Sequence, residues 1–435
     1  MTNENNISLQ FTSVRDLKKI KVLTISDHPL SPSGVGTQTK YFIEHMLNTG
    51  KFKFVSLGGA IKHPDYKPIR LDAYGEDWTI YPVDNFGNQE IVRSIIRNER
   101  PDVLWFMTDP RFYEWLWAME DEIRPLLPMV YYHVWDNYPY PRFNRPFYLS
   151  NDFIATISKV TDDIVANVSP EVERKYIPHS VDTGVFHPLE DKQIEKIRKE
   201  NFPKWEKDKF LFVWNNRNAK RKMSGSLIWW FKEFLDTVGK DNAVLIMHTD
   251  PHDSNGPDLQ ACINELGLLN GEVMFSTSKM PPQDLAGLYN MADCVLNISD
   301  AEGFGLATLE AMSCGTPIIA TMTGGLQEQV TDGKNWFGVG IEPASKAIIG
   351  SQQVPYIRED RITKEEFLSA MLKIYNTPKK ELRKMGQLGR EHVMKNYNFE
   401  NFKKQWFEAM IHIHERHGSW NERKNYKSWN FSEAL

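Results

Sequence analysis

Two glutamates, Glu302 and Glu310, flank a glycine-punctuated turn in "NISDAEGFGLATLEAMSCGTPIIAT", residues 297–321. Carboxylates suit the hydroxyls of a ligand, and the free backbone N–H groups of a helix start suit an anion. Gly303 and Gly305 permit close approach of the backbone, with Phe304 between them and Leu306 opening the helix. A ligand bearing both phosphate and hydroxyl groups would use this whole stretch. The plain alternative is a helix-start loop in which Glu310 only complements the dipole. Earlier, "FVWNNRNAKRKMSG" gathers Arg217, Lys220, Arg221 and Lys222, a cationic group matched to a diphosphate or else a solvated basic turn. "TGGLQEQVTDG" adds Gly324, Gly325 and Glu328 after a further strand. Nearer the N-terminus, His133 falls within the aromatic strand "MVYYHVW", a candidate site group or a satisfied core histidine.

These residues need elements to hold them. "IKVLTIS" (20–26) is a short apolar run, as a buried parallel strand should be, followed by the loop "DHPLSPSGVG" and a helix from "TQTKYFIEHML". Strand, glycine loop and helix make the first half of a βαβ unit. Strand-like runs recur at 52–58, 102–107, 129–135 and 152–158, and Ser158 reads as a helix cap. Around 177–208 prolines and a dense charge run mark a linker with one polar helix. Beyond it strands at 210–216, 243–249, 271–277, 294–299 and 317–321 alternate with helices near 224–237, 257–267 and 282–291. The pattern predicts two doubly wound, Rossmann-like α/β domains facing across a cleft. Their expected bounds are 1–185 and 209–398, with the linker at 186–208 and a C-terminal helix and tail, 399–435, crossing back to the first domain. Ligands of such sheets bind beyond the carboxyl ends of the strands, hence in the cleft.

Bulk properties narrow the class. At 435 residues the chain fits two domains of about 150–200 residues. A formal charge of -5 disfavours a protein held on nucleic acid by net charge. No run approaches the roughly 18 apolar residues of a membrane span, and "MTNENNISLQ" lacks a signal-peptide core. Three scattered cysteines without a CxxC pair suggest reduced thiols and a cytoplasmic location.

Glu302 to Glu310 resembles the E-x7-E motif of the retaining glycosyltransferases of family 4, which have the two-domain GT-B fold. "IPHSVDTGVFHP", "NNRNAKRK", "TGGLQEQVTDG" and "YYHVWD" resemble other segments of that family in the same order, over roughly residues 20–400. The resemblance implies that Arg217 and Lys222 bind the donor diphosphate. It implies that Glu302 meets the transferred sugar, Glu310 the ribose, and that His133 lies near the reacting centre. The Ser33–Gly36 loop, with Gly34 and Gly36, would close over the phosphate. This sequence departs from the pattern in three places. The loop glycines are split by Val35, Met223 stands where a glycine commonly follows the lysine, and His179-Ser180 replaces Asn-Gly.

The expected activity is transfer of a sugar from a nucleotide-diphosphate donor to an acceptor hydroxyl with retained configuration, without a cofactor. The chain contains no Asp-x-Asp triplet to bring a metal to the diphosphate, so no metal site is expected. The implied acceptor is a polysaccharide or glycolipid precursor. A hydroxylated DNA base is an alternative left open by Arg142, Arg145 and the tail "NERKNYKSWN", as is a nucleotide-sugar isomerase or hydrolase on the same fold. Trp105, Phe106, Trp115, Trp117, Tyr131, Tyr132, Trp135, Tyr138 and Tyr140 are candidates for stacking on an acceptor or for the core.

Overall fold

The computed structural model describes residues 18–203 and 208–427. The expectations for the N-terminal segment, for the middle of the linker at 204–207 and for the end of the tail at 428–435 fall outside the described residues.

The first sheet contains β1 (Ile20–Asp27), β2 (Phe52–Gly59), β3 (Ile69–Arg70), β4 (Trp78–Pro82), β5 (Val103–Thr108), β6 (Met129–His133), β7 (Phe153–Thr156) and β8 (Arg174–Tyr176). Their order is β3-β4-β2-β1-β5-β6-β7-β8, parallel throughout except the β3–β4 edge. Alternate side chains of these strands feed two separate cores, so both faces are apolar and the strands read as continuous apolar runs. Tyr132 goes to one core and Tyr131 to the other. β4, "WTIYP", is missed by a search for apolar runs because it is short and ends in proline. It pairs with β2 all the same, through Phe54↔Trp78.

The second sheet contains β9 (Phe210–Asn215), β10 (Ala243–His248), β11 (Val273–Ser276), β12 (Cys294–Asn297), β13 (Ile318–Thr321) and β14 (Gly338–Ile341). All pairs are parallel in the order β11-β10-β9-β12-β13-β14. An antiparallel hairpin, β15 (Ser345–Ile349) and β16 (Ile357–Arg361), follows. The sequence reading did not anticipate it. Its backbone leaves the second sheet and reaches the first domain, where Arg358 N donates to Tyr138 O at 2.6 Å. Val354 joins a core of the first domain.

The linker carries a polar helix, Asp191–Asn201. Before it, the Gln38 side chain grips Ser180 through its backbone O and N, at 2.8 and 3.1 Å. The C-terminal helix, Phe399–His417, returns to the first domain. Its Trp406 is fully buried against Phe42, Trp105 and Tyr132, with ring centres 4.8, 5.9 and 4.9 Å away. The tail then docks through Arg423, which donates to Asp152 at 2.8 Å and to Arg124 O at 2.7 Å. No described helix is long and apolar enough to cross a membrane. All three cysteines are free.

Candidate functional site

The carboxyl ends of the two parallel sheets face one another around a cavity of about 760 Å³. That is a size suited to a ligand of nucleotide-sugar dimensions. One wall is the loop after β12. It is short because the 306–313 helix begins almost at once, with Gly305 as its left-handed cap at φ 92°. A side chain at Gly324 would collide with the carbonyl of Glu302, and one at Gly325 with the carbonyl of Gly303. Glycines there let the β13 loop pack directly beneath the Glu302 loop.

Lys222 and Glu302 form a close ion pair, 8% and 13% exposed. Asn297 and Ser299 also point at the Glu302 carboxylate, at 3.4 and 3.5 Å. Burial opposes the Glu302 charge, but Lys222 first and Arg221 next outweigh it and hold the carboxyl below its usual range. Burial also lowers the Lys222 ammonium from its ordinary value, with Glu302 working against that. Arg221 donates to Ala301 O at 2.6 Å and lines the cavity. Met223, where the resembled family has glycine, adopts a left-handed φ of 57° to turn the chain from the basic cluster into the 224–238 helix. That conformation favours glycine, and here a methionine bears it.

The opposite wall is the first domain. Gly34 and Gly36, expected in a loop, instead lie in the first turn of the helix Gly34–Leu47, because Ser33 caps it by accepting from Gly36 N at 3.0 Å. Ser33, Gly34 and Val35 line the cavity at the helix N-terminus, while Gly36 is packed against Ser31 and His28. A side chain at Gly34 would press on Leu306, the first residue of the facing helix. Two helix starts, both ready for an anion, thus meet across the cavity.

Four expected residues are placed differently. Lys222 does not itself line the cavity and meets it only through its pair with Glu302. His133 does not line the cavity. It shares a face of β6 with Tyr131 and is fully buried, its Nε2 2.7 Å from the Tyr148 hydroxyl. Burial pushes it down to about 3, so the ring is neutral. Arg217, 68% exposed, points outward and pairs with Asp253 at 2.6 Å, leaving Arg221 as the arginine that faces the cavity. Glu310 does not line the cavity either. It lies behind it, accepting from the Tyr289 hydroxyl at 2.8 Å, and burial raises it to about 7. Glu328 serves as a bridge between domains, accepting from Lys159 N at 2.8 Å and the Tyr176 hydroxyl at 2.6 Å.

Sequence reasoning passed over several cavity residues. Asp109, Arg111 and Asp136 come from the loops after β5 and β6, and His179 from the linker. The His179 ring packs on Phe304 at 5.0 Å, joining the two walls. An acidic residue within a few positions of a parallel strand's carboxyl end was the available signal for Asp109 and Asp136. Of the nine aromatics, Trp105, Phe106, Tyr131 and Tyr132 are fully buried core, and Tyr138 and Tyr140 are both bound to Asp163. Only Trp135 among them lines the cavity. Arg145, proposed as a contact for DNA, is engaged with Glu171.

Residues 193–350 match the family model described as Glycosyl transferases group 1. The chain is 31% identical over 177 residues to a D-inositol 3-phosphate glycosyltransferase of Corynebacterium jeikeium, covering 40% of this chain and 41% of that protein. It is 29% identical over 191 residues to a GDP-mannose-dependent alpha-(1-6)-phosphatidylinositol monomannoside mannosyltransferase of Mycolicibacterium smegmatis, covering 42% and 47%. The chain therefore spans less than half the length of these curated relatives. Among solved structures it resembles sucrose-phosphate synthase of Thermosynechococcus elongatus, with a TM-score of 0.72 at 16% identity over 92% of this chain and 100% of that one. It also resembles Anabaena HepE solved with UDP and glucose, with a TM-score of 0.67 at 16% identity over 90% and 99%. The fold is that of the GT-B glycosyltransferases: two Rossmann-like α/β units around one cleft.

Proposed function

We propose that this chain is a glycosyltransferase that moves a sugar from a nucleotide-diphosphate donor to an acceptor hydroxyl with retention of configuration. The observation that carries this reading is one cavity lined by Arg221, by Glu302 with Lys222 paired to it from outside the lining, and by two helix N-termini. As the bond between sugar and diphosphate breaks, negative charge grows on the departing phosphate oxygen. In this reading Arg221 and the backbone N–H groups at Leu306 and Gly34 stabilise that charge directly, with Lys222 adding its charge from beside Glu302, which is preorganised electrostatic catalysis. Glu302 holds Lys222 in place and is left to accept hydrogen bonds from sugar hydroxyls. Glu310, tied to Tyr289, stands behind the same helix, where a ribose hydroxyl is the expected partner. The cationic set neutralises the leaving diphosphate, so no metal is required in this scheme.

For the acceptor we propose a phosphorylated polyol or a glycolipid precursor. The support is the pair of relatives named for inositol phosphate and phosphatidylinositol mannoside acceptors. The test is a panel of UDP- and GDP-sugars with inositol phosphate and lipid acceptors, reading nucleotide release and the anomeric configuration of the product by NMR. Release of nucleotide with acceptor-dependent glycoside of the donor's configuration is expected. Epimerised or merely hydrolysed donor with every acceptor would point to the isomerase or hydrolase reading.

A further inference from the structure

Most of the cavity wall is built from loops and helices seated on the two large sheets, but one edge is the β15–β16 hairpin. Ile349, Gly350, Ser351, Val354, Ile357 and Glu359, from its strands and turn, all line the cavity. The two strands form a sheet of their own. β15 is largely exposed, with Ile348 at 58% and Ile349 at 37%. A lone two-stranded hairpin is marginal in water, so this one is held in place by what it touches.

It touches both domains. At its root in the second domain, Asp360 N donates to Asp300 O at 2.8 Å, and the Thr323 hydroxyl donates to the Asp360 carboxylate at 2.8 Å. Toward the first domain Arg358 uses both of its backbone groups. Its N–H donates to Tyr138 O, and its O accepts from the Asn137 amide at 2.8 Å. Beyond that, Val354 is buried in a first-domain core, Ile357 packs against the same core, and Tyr356 meets Phe143 edge-on with ring centres 5.0 Å apart. The turn keeps its own shape. Ser351 N donates to Val354 O at 2.7 Å and Val354 N to the Ser351 hydroxyl at 3.1 Å, while a side chain at Gly350 would strike the carbonyls of Val354 and Pro355. The hairpin is thus a preformed finger, fastened at its root and held toward its tip by a small apolar contact and two hydrogen bonds.

A unit with so few buried contacts of its own is the part of the wall that opens at least cost. Resting on the glycosyl-transfer reading, we propose that the β15–β16 hairpin is a strap across the cleft, which lifts its tip from the first domain to admit nucleotide sugar and release nucleotide, and docks again to close the cavity. Docked, it fixes Asn137 and Tyr138 and ties the first domain to the second, so the cavity is complete only with the strap down. A strap in that position also keeps water from a bound donor.

The experiment compares the full chain with Tyr356→Ala and Val354→Ala. Tyr356 does not line the cavity, so its loss loosens the tip without touching a ligand there. In hydrogen exchange read by mass spectrometry, amides of 345–361 should exchange on the order of 10-fold faster than those of β12 and β13. Either variant should speed hairpin exchange by a further ~3–10-fold and leave both sheets unchanged, and UDP or GDP should slow it. In stopped-flow binding of fluorescent UDP and GDP, association and dissociation should rise together in Tyr356→Ala, by about 3–10-fold, because both pass through the lifted state. Hairpin amides as protected as the central strands, or nucleotide rates unchanged in both variants, would overturn the inference. Faster dissociation alone would overturn it too, since a fixed wall of the site would give that result. Hairpin exchange as expected in a chain that binds neither nucleotide would instead overturn the glycosyl-transfer reading, and the gating role with it.

Discussion

The two walls of the cleft are built by opposite means. On the second-domain wall the groups are charged, close in sequence to a strand end, and paired with each other: Lys222 with Glu302, Arg221 with the carbonyl of Ala301. On the first-domain wall β6 ends in a ring that turns inward, His133, and most of the polar groups come from the loops beyond the strands. His133 belongs to the first set and Asp136 to the second, though only Val134 and Trp135 separate them. The comparison teaches that the last residue of a strand can still be core, as His133 is at the end of β6, while Thr108 at the end of β5 reaches the cavity. After β6 the chain runs three residues past His133 before an acidic side chain, Asp136, lines the cavity.

The largest expected effect is on the charged wall. Lys222→Ala removes a cation that strengthens its hold as the diphosphate leaves, so turnover should fall by about 2–4 kcal/mol of transition-state stabilisation. It also strands the buried Glu302 carboxylate, so the melting temperature should drop, with a stability loss of about 3 kcal/mol. Normal turnover in this variant would remove the charged wall from the mechanism. Next comes the choice between two arginines. Arg221→Ala should cost about 1.5–3 kcal/mol in kcat/KM, the range for a hydrogen bond to a charged group. Arg217→Ala, breaking only an exposed pair with Asp253, should cost less than about 1 kcal/mol. Steady-state kinetics on both variants decides, and the reverse order would mean that Arg217 swings inward when donor binds.

A smaller effect separates Glu310 from Glu302. Because burial raises Glu310 from 4.5 to about 7, its contribution to stability is full below pH 4.5 and is lost as the pH rises through 7. Glu310→Gln does not titrate, so it should gain on wild type between those pH values, by about 1–2 kcal/mol after allowance for partial exposure. Thermal melts at pH 4.5 and 8 measure this, and a difference independent of pH would contradict a buried, neutral Glu310. The smallest effect on chemistry is expected at His133. Its loss should change turnover less than about threefold, against the 10²-fold or more expected for removing a general base. His133→Gln should also narrow the acid sensitivity of the fold. The wild-type ring is held down to about 3, so stability present above 6.5 is lost as pH falls through that value, and glutamine has no such term. A hundredfold fall in kcat for His133→Gln at unchanged stability would restore the histidine to the reacting centre.

The sequence by itself determined much of this molecule, because buried parallel strands announce themselves as apolar runs and helix ends by their caps. Ser158 accepts from Thr161 N at 3.1 Å as its position implied, and the predicted strands at 20–26, 210–216 and 294–299 lie within a residue or two of β1, β9 and β12. The Glu302 loop was legible too, since its residues are consecutive and the backbone alone brings them to the strand's end. Tertiary structure decided the rest. Which ring of "YYHVWD" turns inward depends on the helix that supplies Tyr148, far from it in the pattern of strands. Whether Arg217 or Arg221 faces the cavity depends on Asp253 lying close enough to capture the former. The hairpin that locks the Asp136 turn lies more than two hundred residues further along the chain, at β15 and β16. Side-chain direction and long-range pairing are set by packing between segments, and a local pattern of residue types carries no record of the partner.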